Sequence, residues 1–148
     1  MTRIDFYLNA PSKLHTACKI ASKAVHRQMR VLIIAPDDLV AREIDRLMWT
    51  ISATGFLPHC MSSDPLALDT PILIARNPDP LPHDEVLLNL GPQPPASFSR
   101  FKRMVEIVSG NDEADKQAAR ERFRFYKDRG YELHHHDLAQ TGEIAHDE

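Results

Sequence analysis

The chain has 148 residues, of which 43% are hydrophobic and 26% are charged. This length suits one domain, and the composition excludes a disordered, collagenous or disulfide-scaffold protein. The formal net charge of -3 argues against a general duplex-DNA binder, because such a protein needs many phosphate contacts.

The first third of the chain alternates strands with helices. Residues 3–8 predict a strand, and Pro11 with Ser12 then opens a helix whose apolar positions recur at spacings of four, three and four: Leu14, Cys18, Ala21 and Val25. Residues 30–35 are a continuous apolar run, typical of a central strand covered on both faces.

A second helix follows this apolar run. Asp37 and Asp38 stand where an acidic N-cap belongs, and one helical face then carries the apolar residues Val40, Ile44, Leu47, Met48 and Ile51. The order strand, helix, strand, helix indicates an α/β domain with parallel pairing at its centre.

Proline shapes the middle of the chain, since nine of the eleven prolines lie between Pro58 and Pro95. Proline is excluded from helix interiors, so short strands are predicted there instead, at Phe56–His59, Pro71–Ala75 and Glu85–Leu90.

The last third predicts a strand at Arg103–Val108 and a long helix from Asp112 to Arg129, which Gly130 ends. Residues 134–148 are polar without apolar periodicity and predict a flexible tail. The prediction is therefore a single α/β domain over residues 1–133, with a central, largely parallel sheet flanked by helices. This topology is Rossmann-like without a nucleotide site.

Motifs that carry chemistry are weak in this sequence. The five glycines are isolated, so no phosphate-cradling loop is predicted. His59 and Cys60 are neighbours on a predicted strand and point to opposite faces, which disfavours a nucleophilic pair. Three consecutive histidines, His134 to His136, seldom converge on one metal ion. We therefore predict no catalytic residue, no metal and no cofactor.

The expected compartment is the cytoplasm. The two cysteines, Cys18 and Cys60, form no Cys-x-x-Cys pair and suit reduced cytosolic thiols. A signal peptide is not expected, and no apolar run approaches the roughly 18–20 residues that span a bilayer.

The segment 116–129 is the most informative charge feature. It carries six cationic and two anionic side chains, a net charge of +4, so the rest of the chain carries -7. At helical spacing, one stripe combines four cations with an aromatic ring: Lys116, Arg120, Phe123, Arg124 and Lys127. Ala119 and Tyr126 lie beside that stripe and are expected to dock the helix on the sheet.

Three interpretations of this basic helix stay open on the residues alone. It is an ordinary solvated face, or it binds an acidic peptide or chain-terminal carboxylate through forked arginine donors and the Phe123 ring, or it binds single-stranded nucleic acid directly. One aromatic ring is a thin stacking platform, which disfavours the last interpretation.

Several segments resemble the chi subunit family of bacterial DNA polymerase III. The similar segments are Lys116–Phe123 with Tyr126 and Gly130-Tyr131, Phe6-Tyr7-Leu8, Arg30–Ile33, Leu47-Met48-Trp49 and Phe56–His59. The resemblance covers about residues 3–133, with the segments in the expected order. None of them is a catalytic signature.

The resemblance implies a non-catalytic adaptor of the clamp-loader complex. Chi-like proteins bind the acidic, apolar-ended C-terminal tail of single-stranded-DNA-binding protein (SSB) and also bind the psi subunit. By position, the tail-binding residues would be Lys116, Arg120, Phe123 and Arg124, with Val108 as an apolar wall. The family often has Tyr where this chain has Phe123, which keeps the aromatic ring without the hydroxyl. It often has Lys where this chain has Arg124, which keeps the positive charge.

The resemblance also implies a psi-binding face at Trp49 and Phe56. From the residues alone, a single Trp in a helical stripe is more often part of the core. A Trp near a helix end, followed by Phe56 and Pro58, also suits an exposed apolar anchor. We predict that Trp49 and Phe56 lie near one another on a patch that is at least partly exposed.

Overall fold

The computed structural model describes residues 1–51, 58–78, 81 and 83–141. Within these residues, seven parallel strands form one sheet in the order β3-β4-β2-β5-β6-β1-β7. The strands are β1 Arg3–Ala10, β2 Val31–Ile34, β3 His59–Met61, β4 Ile72–Ala75, β5 Val86–Asn89, β6 Arg103–Ser109 and β7 Glu132–Asp137. The helices are α1 Lys13–His26, α2 Asp38–Ile51, α3 Glu113–Asp128 and α4 Leu138–Thr141, with 3-10 turns at Ala67–Asp69 and Phe98–Arg100. The prediction of an α/β domain around a parallel sheet is confirmed.

Two apolar cores lie on opposite faces of the sheet. On one face of the sheet, α1 and α2 pack against buried strand residues that include Ile33, Val105 and Ile107. On the other face α3 packs against Phe6 and Met104 of the neighbouring strands. Because the central strands are buried on both faces, they read as continuous apolar runs.

Strand β1 lies inside the sheet, next to the edge strand β7. β1 pairs with β6 on one side and with β7 on the other, so residues near the two ends of the chain become neighbours: Phe6 lies opposite both Glu106 and His135. Parallel pairing brings the carboxyl ends of these three strands to the same edge of the sheet, next to α3.

The predicted position of one strand is corrected by the structure. The strand predicted at Phe56–His59 is observed at His59–Met61, directly after Pro58, because proline has no N–H to donate to a strand neighbour. Residues 52–57 lie outside the described residues.

The prediction of a flexible tail from residue 134 is wrong for residues 134–141. Residues 132–137 form β7, and Leu138–Thr141 form α4. β7 contains few apolar residues, pairs with β1 along the main chain over six residues and adds polar side-chain contacts to that pairing. His136 Nε2 lies 2.9 Å from Asp5 Oδ1, and Asn9 Nδ2 donates to Asp137 Oδ1 at 2.9 Å.

A candidate peptide-binding groove on helix α3

Local sequence sets both ends of α3. Asp112 is the N-cap, and its side chain accepts from the Asp115 N–H at 3.2 Å. Asp115 in turn accepts from Lys13 Nζ at 2.7 Å and from the Ser109 N–H at 2.8 Å, which ties the helix start to α1 and β6. Burial raises the pKa of Asp115, but these hydrogen bonds outweigh it and hold that pKa below its ordinary value. Gly130, at φ 81°, adopts the left-handed conformation that stops the helix.

The inward face of α3 carries a buried polar cluster. Arg122, only 2% exposed, donates from Nε to Glu106 Oε1 at 2.9 Å, and the Tyr126 hydroxyl donates to Glu106 Oε2 at 2.6 Å. Asn89 Nδ2 donates to the same oxygen at 3.0 Å. Burial raises the pKa of Glu106, while Arg122 and the other donors oppose that rise. This cluster sets how the helix is rotated on the sheet.

Beside this inward face, α3 borders a groove of about 720 Å³ between the helix and strands β1, β6 and β7. The five residues of the predicted stripe all line it, as does the predicted wall residue Val108. The remaining lining residues are Phe6, Leu8, Asn9, Ala119, Asp128 and His135. The structure therefore brings together every residue that the basic helix was expected to contribute.

One wall of the groove is cationic and comes from α3. Arg120 is exposed and donates to Gln117 Oε1 at 3.0 Å, and Lys116 Nζ lies 3.4 Å from Glu113 Oε2. Arg124 and Lys127 are exposed farther along the same wall. Asp128 is the acidic lining residue, so the wall keeps an excess of positive charge.

The floor of the groove is apolar. Val108 and Ala119 are buried, and the Phe6 ring meets Phe123 edge to face at a centroid distance of 5.5 Å. Phe123 was expected on the exposed face but is half-buried, because its ring packs into the core that includes Phe6. Ala119 and Tyr126 dock the helix on the sheet as predicted.

Sequence reasoning missed the side of the groove that the sheet contributes. Phe6, Leu8, Asn9 and His135 come from β1 and β7, which the sheet order places beside α3. The alternation of Phe6 and Leu8 along a strand was a usable signal that both point to one face. His135 lay in the segment that was predicted to be a tail.

The predicted psi-face residue Trp49 lies at the end of α2 with 60% of its surface exposed. Its ring meets the His59 ring edge to face at 5.0 Å, and His59 Nε2 lies 3.1 Å from Asp45 Oδ1. Trp49 is therefore a surface residue whose ring packs on the buried His59 ring, and it is not part of the core. Phe56, its predicted companion, lies outside the described residues.

The other sequence candidates have structural roles here. His59 faces α2 whereas Cys60 packs in the core on the α3 side, so the pair does point to opposite faces. Asp37 caps α2 by accepting from the Val40 N–H at 2.9 Å. The three histidines alternate along β7, where His136 contacts Asp5 and His135 faces the groove.

Metal-ligand clusters and membrane-spanning helices are both absent from the described part of the chain. Among those residues, no group of three or more His, Cys, Asp or Glu side chains is placed to hold a metal ion. None of the helices in the described ranges is long and apolar enough to cross a bilayer.

Fold and groove together define an α/β protein whose open cleft presents cations on one wall and an apolar floor. A family model described as DNA polymerase III chi subunit, HolC, matches residues 1–134. The chain belongs to this chi subunit family. It is therefore an accessory subunit of DNA polymerase III, a complex that acts in DNA replication.

Individual relatives agree with this membership. DNA polymerase III subunit chi of Pseudomonas aeruginosa is 32% identical over 142 residues, which cover 93% of this chain and 98% of that protein. The chi subunit of Haemophilus influenzae is 31% identical over 121 residues, covering 79% and 81%. That of Escherichia coli is 28% identical over 117 residues, covering 78% and 79%.

Proposed function

We propose that the groove on α3 binds the acidic C-terminal tail of SSB and that the chain thereby links SSB to DNA polymerase III. The observation that supports this most is the pairing of four cations along one wall with an apolar floor in a single groove. An acidic peptide with an apolar end needs both features at once.

The dimensions of the wall suit an extended peptide. From Lys116 to Lys127 the helix rises about 16 Å at 1.5 Å per residue, which is the length of about five extended residues. Arg120 lies near the middle of the wall, where its planar guanidinium can donate two parallel hydrogen bonds to a terminal carboxylate. The ring of Phe123 and the Val108 side chain offer contact to the last apolar side chain of the peptide.

The test is calorimetric titration with a synthetic peptide of the SSB tail from the same organism. We expect Arg120→Ala to weaken binding by about tenfold to a hundredfold, since hydrogen bonds to charged groups contribute roughly 1.5–3 kcal/mol. Arg120→Lys should recover only part of this loss, because an ammonium lacks the fork. Arg129→Ala is the matched control, since Arg129 ends the same helix but stacks on Phe125 outside the groove.

Two further titrations separate this proposal from its rivals. Amidating the terminal carboxylate of the peptide, or raising the salt concentration, should weaken binding. Tight binding of an oligonucleotide without any other protein, together with no binding of the peptide, would identify a direct single-stranded nucleic-acid binder. Equal affinities for wild type and Arg120→Ala would show that the basic helix is only a solvated face.

The exposed Trp49 supports a second proposed contact, with the psi subunit in organisms that have one. A large exposed aromatic side chain is a typical interface anchor, and the family resemblance assigns Trp49 and Phe56 to that contact. In this proposal the chain works in the cytoplasm as an adaptor without catalytic chemistry or a cofactor of its own. Co-purification of psi with wild type but not with Trp49→Ala tests the contact.

A further inference from the structure

The groove has a second wall, which comes from strand β7. His135 is exposed on the face of β7 that looks toward α3 and lines the groove. Its ring lies 5.1 Å from the Phe123 ring and 6.1 Å from the Phe6 ring, measured between centroids. An imidazole therefore stands over the apolar floor, across from the cations of α3.

The backbone on both sides of His135 is anchored to β1. His136 contacts Asp5 and stacks on Tyr7 at a centroid distance of 4.6 Å. Asp137 accepts from Asn9, whose φ of 61° is a left-handed conformation that asparagine tolerates. Gly110 lets β6 approach this corner closely, because a Cβ there would lie 3.2 Å from the Asn9 backbone. These contacts fix the backbone on the C-terminal side of His135 before any ligand arrives.

We propose that His135 is a peptide-contacting residue of this groove and makes binding of the acidic tail depend on pH. This inference rests on the proposed function. As a neutral ring, His135 offers a flat wall to the apolar end of the peptide. As a protonated ring it adds a fifth cation to the four of α3, and histidine changes charge between about pH 5 and 8.

The charged surroundings of the ring determine the direction of the effect. From α3, four cations and Asp128 share the groove with it, and strand alternation places Asp137 on its own face of β7. From β1, the groove residues Phe6, Leu8 and Asn9 carry no charge. A bound acidic peptide adds negative charge to this site, so binding favours the protonated ring and is coupled to proton uptake.

The experiment measures peptide affinity from pH 8 to pH 5.5 for wild type, His135→Gln and His135→Phe. Peptide carboxylates stay ionised across this range. Wild type should bind about two- to fivefold more tightly at pH 5.5, the size of effect expected for one exposed charge pair. His135→Gln should lose this dependence. His135→Phe should also lose the dependence, although an aromatic ring remains beside the apolar floor.

His134→Gln is the matched control. His134 is the adjacent residue on the same strand, faces the opposite side and contacts Glu132. It should retain the pH profile of wild type. Titrations of wild type near pH 6.5 in buffers of different ionisation enthalpy should also show proton uptake, which His135→Gln abolishes.

The outcomes separate this inference from the function on which it rests. If Arg120→Ala binds the peptide more weakly than wild type, but His135→Gln keeps the wild-type pH profile, the role of His135 is refuted and the groove stands. If wild type binds no tail peptide at any pH, both proposals fail.

Discussion

Arg120 and Arg122 lie two residues apart on α3 and have opposite surroundings. Arg122 is buried against the sheet and bonds to Glu106, whereas Arg120 is exposed in the groove and reaches only a glutamine in its described contacts. Both count as one positive charge in the composition of the helix, but their side chains are separated by a rotation of about 200° around the helix axis. A buried arginine with a partner carboxylate holds the helix in position, and an exposed one has its donors available to a ligand.

The largest expected effect on stability comes from breaking the buried pair. Arg122→Ala leaves Glu106 buried and without its ionic partner, so the free energy of unfolding should fall by about 3–5 kcal/mol. Urea denaturation measures this. Arg120→Ala is the control and should change stability by less than about 0.5 kcal/mol. Similar losses for both variants would remove the distinction between the two faces.

Phe123 lies between these extremes, because its ring belongs to both the groove and the core. Phe123→Ala should weaken peptide binding and also lower the free energy of unfolding by about 1–3 kcal/mol, since a half-buried ring loses its contact with Phe6. Phe123→Tyr should restore stability. Denaturation combined with peptide titration tests this, and full stability of Phe123→Ala would mean that the floor does not depend on the ring.

Asp5 on β1 extends the comparison to a buried carboxylate whose cationic partners are partly exposed. Burial raises the pKa of Asp5, but hydrogen bonds from His136, Arg103 and Arg3 outweigh it and lower that pKa below the ordinary value. The stabilisation is therefore complete above the unfolded-state pKa near 3.9 and is lost as the pH falls through the lower folded-state value.

Asp5→Asn should cost about 1–2 kcal/mol at neutral pH and flatten the loss of stability below pH 4. Denaturation at a series of pH values from 2 to 7 measures both effects. The Asp112→Asn variant is a useful reference, since that carboxylate lies at an exposed helix cap. If the free energy of unfolding falls as steeply below pH 4 in Asp5→Asn as in wild type, Asp5 is not the carboxylate responsible for this loss.

Trp49→Ala should have the smallest effect on folding, below about 1 kcal/mol, because most of the side chain is already in water. We expect its main effect on partner binding, as for Arg120. The two residues lie near opposite edges of the sheet, Trp49 beside β3 and Arg120 in the groove beside β7. Thermal denaturation beside a psi-binding assay checks this. A large loss of stability with intact psi binding would make Trp49 a structural residue.

The sequence predicts what depends on local periodicity. Central strands such as Val31–Ile34 are readable because they are buried on both faces, and the cationic wall is readable because Lys116, Arg120 and Lys127 follow the helical repeat. β7 was not readable, because its sequence is polar and its partner strand β1, which His136 also contacts through Asp5, lies about 130 positions earlier. Because β7 was not predicted, the side of the groove that the sheet contributes was not predicted either.

The position of β1 between β6 and β7 has a consequence for biosynthesis. β1 is synthesised before both of its neighbours: it has no partner until residues 103–109 emerge, and its second partner follows only with residues 132–137. Contacts of such sequence separation slow folding, and an unpaired apolar strand is prone to misassociate while it waits. β1 therefore stays without a partner while residues 11–102 are synthesised, which makes early chaperone capture valuable and truncation within β7 harmful.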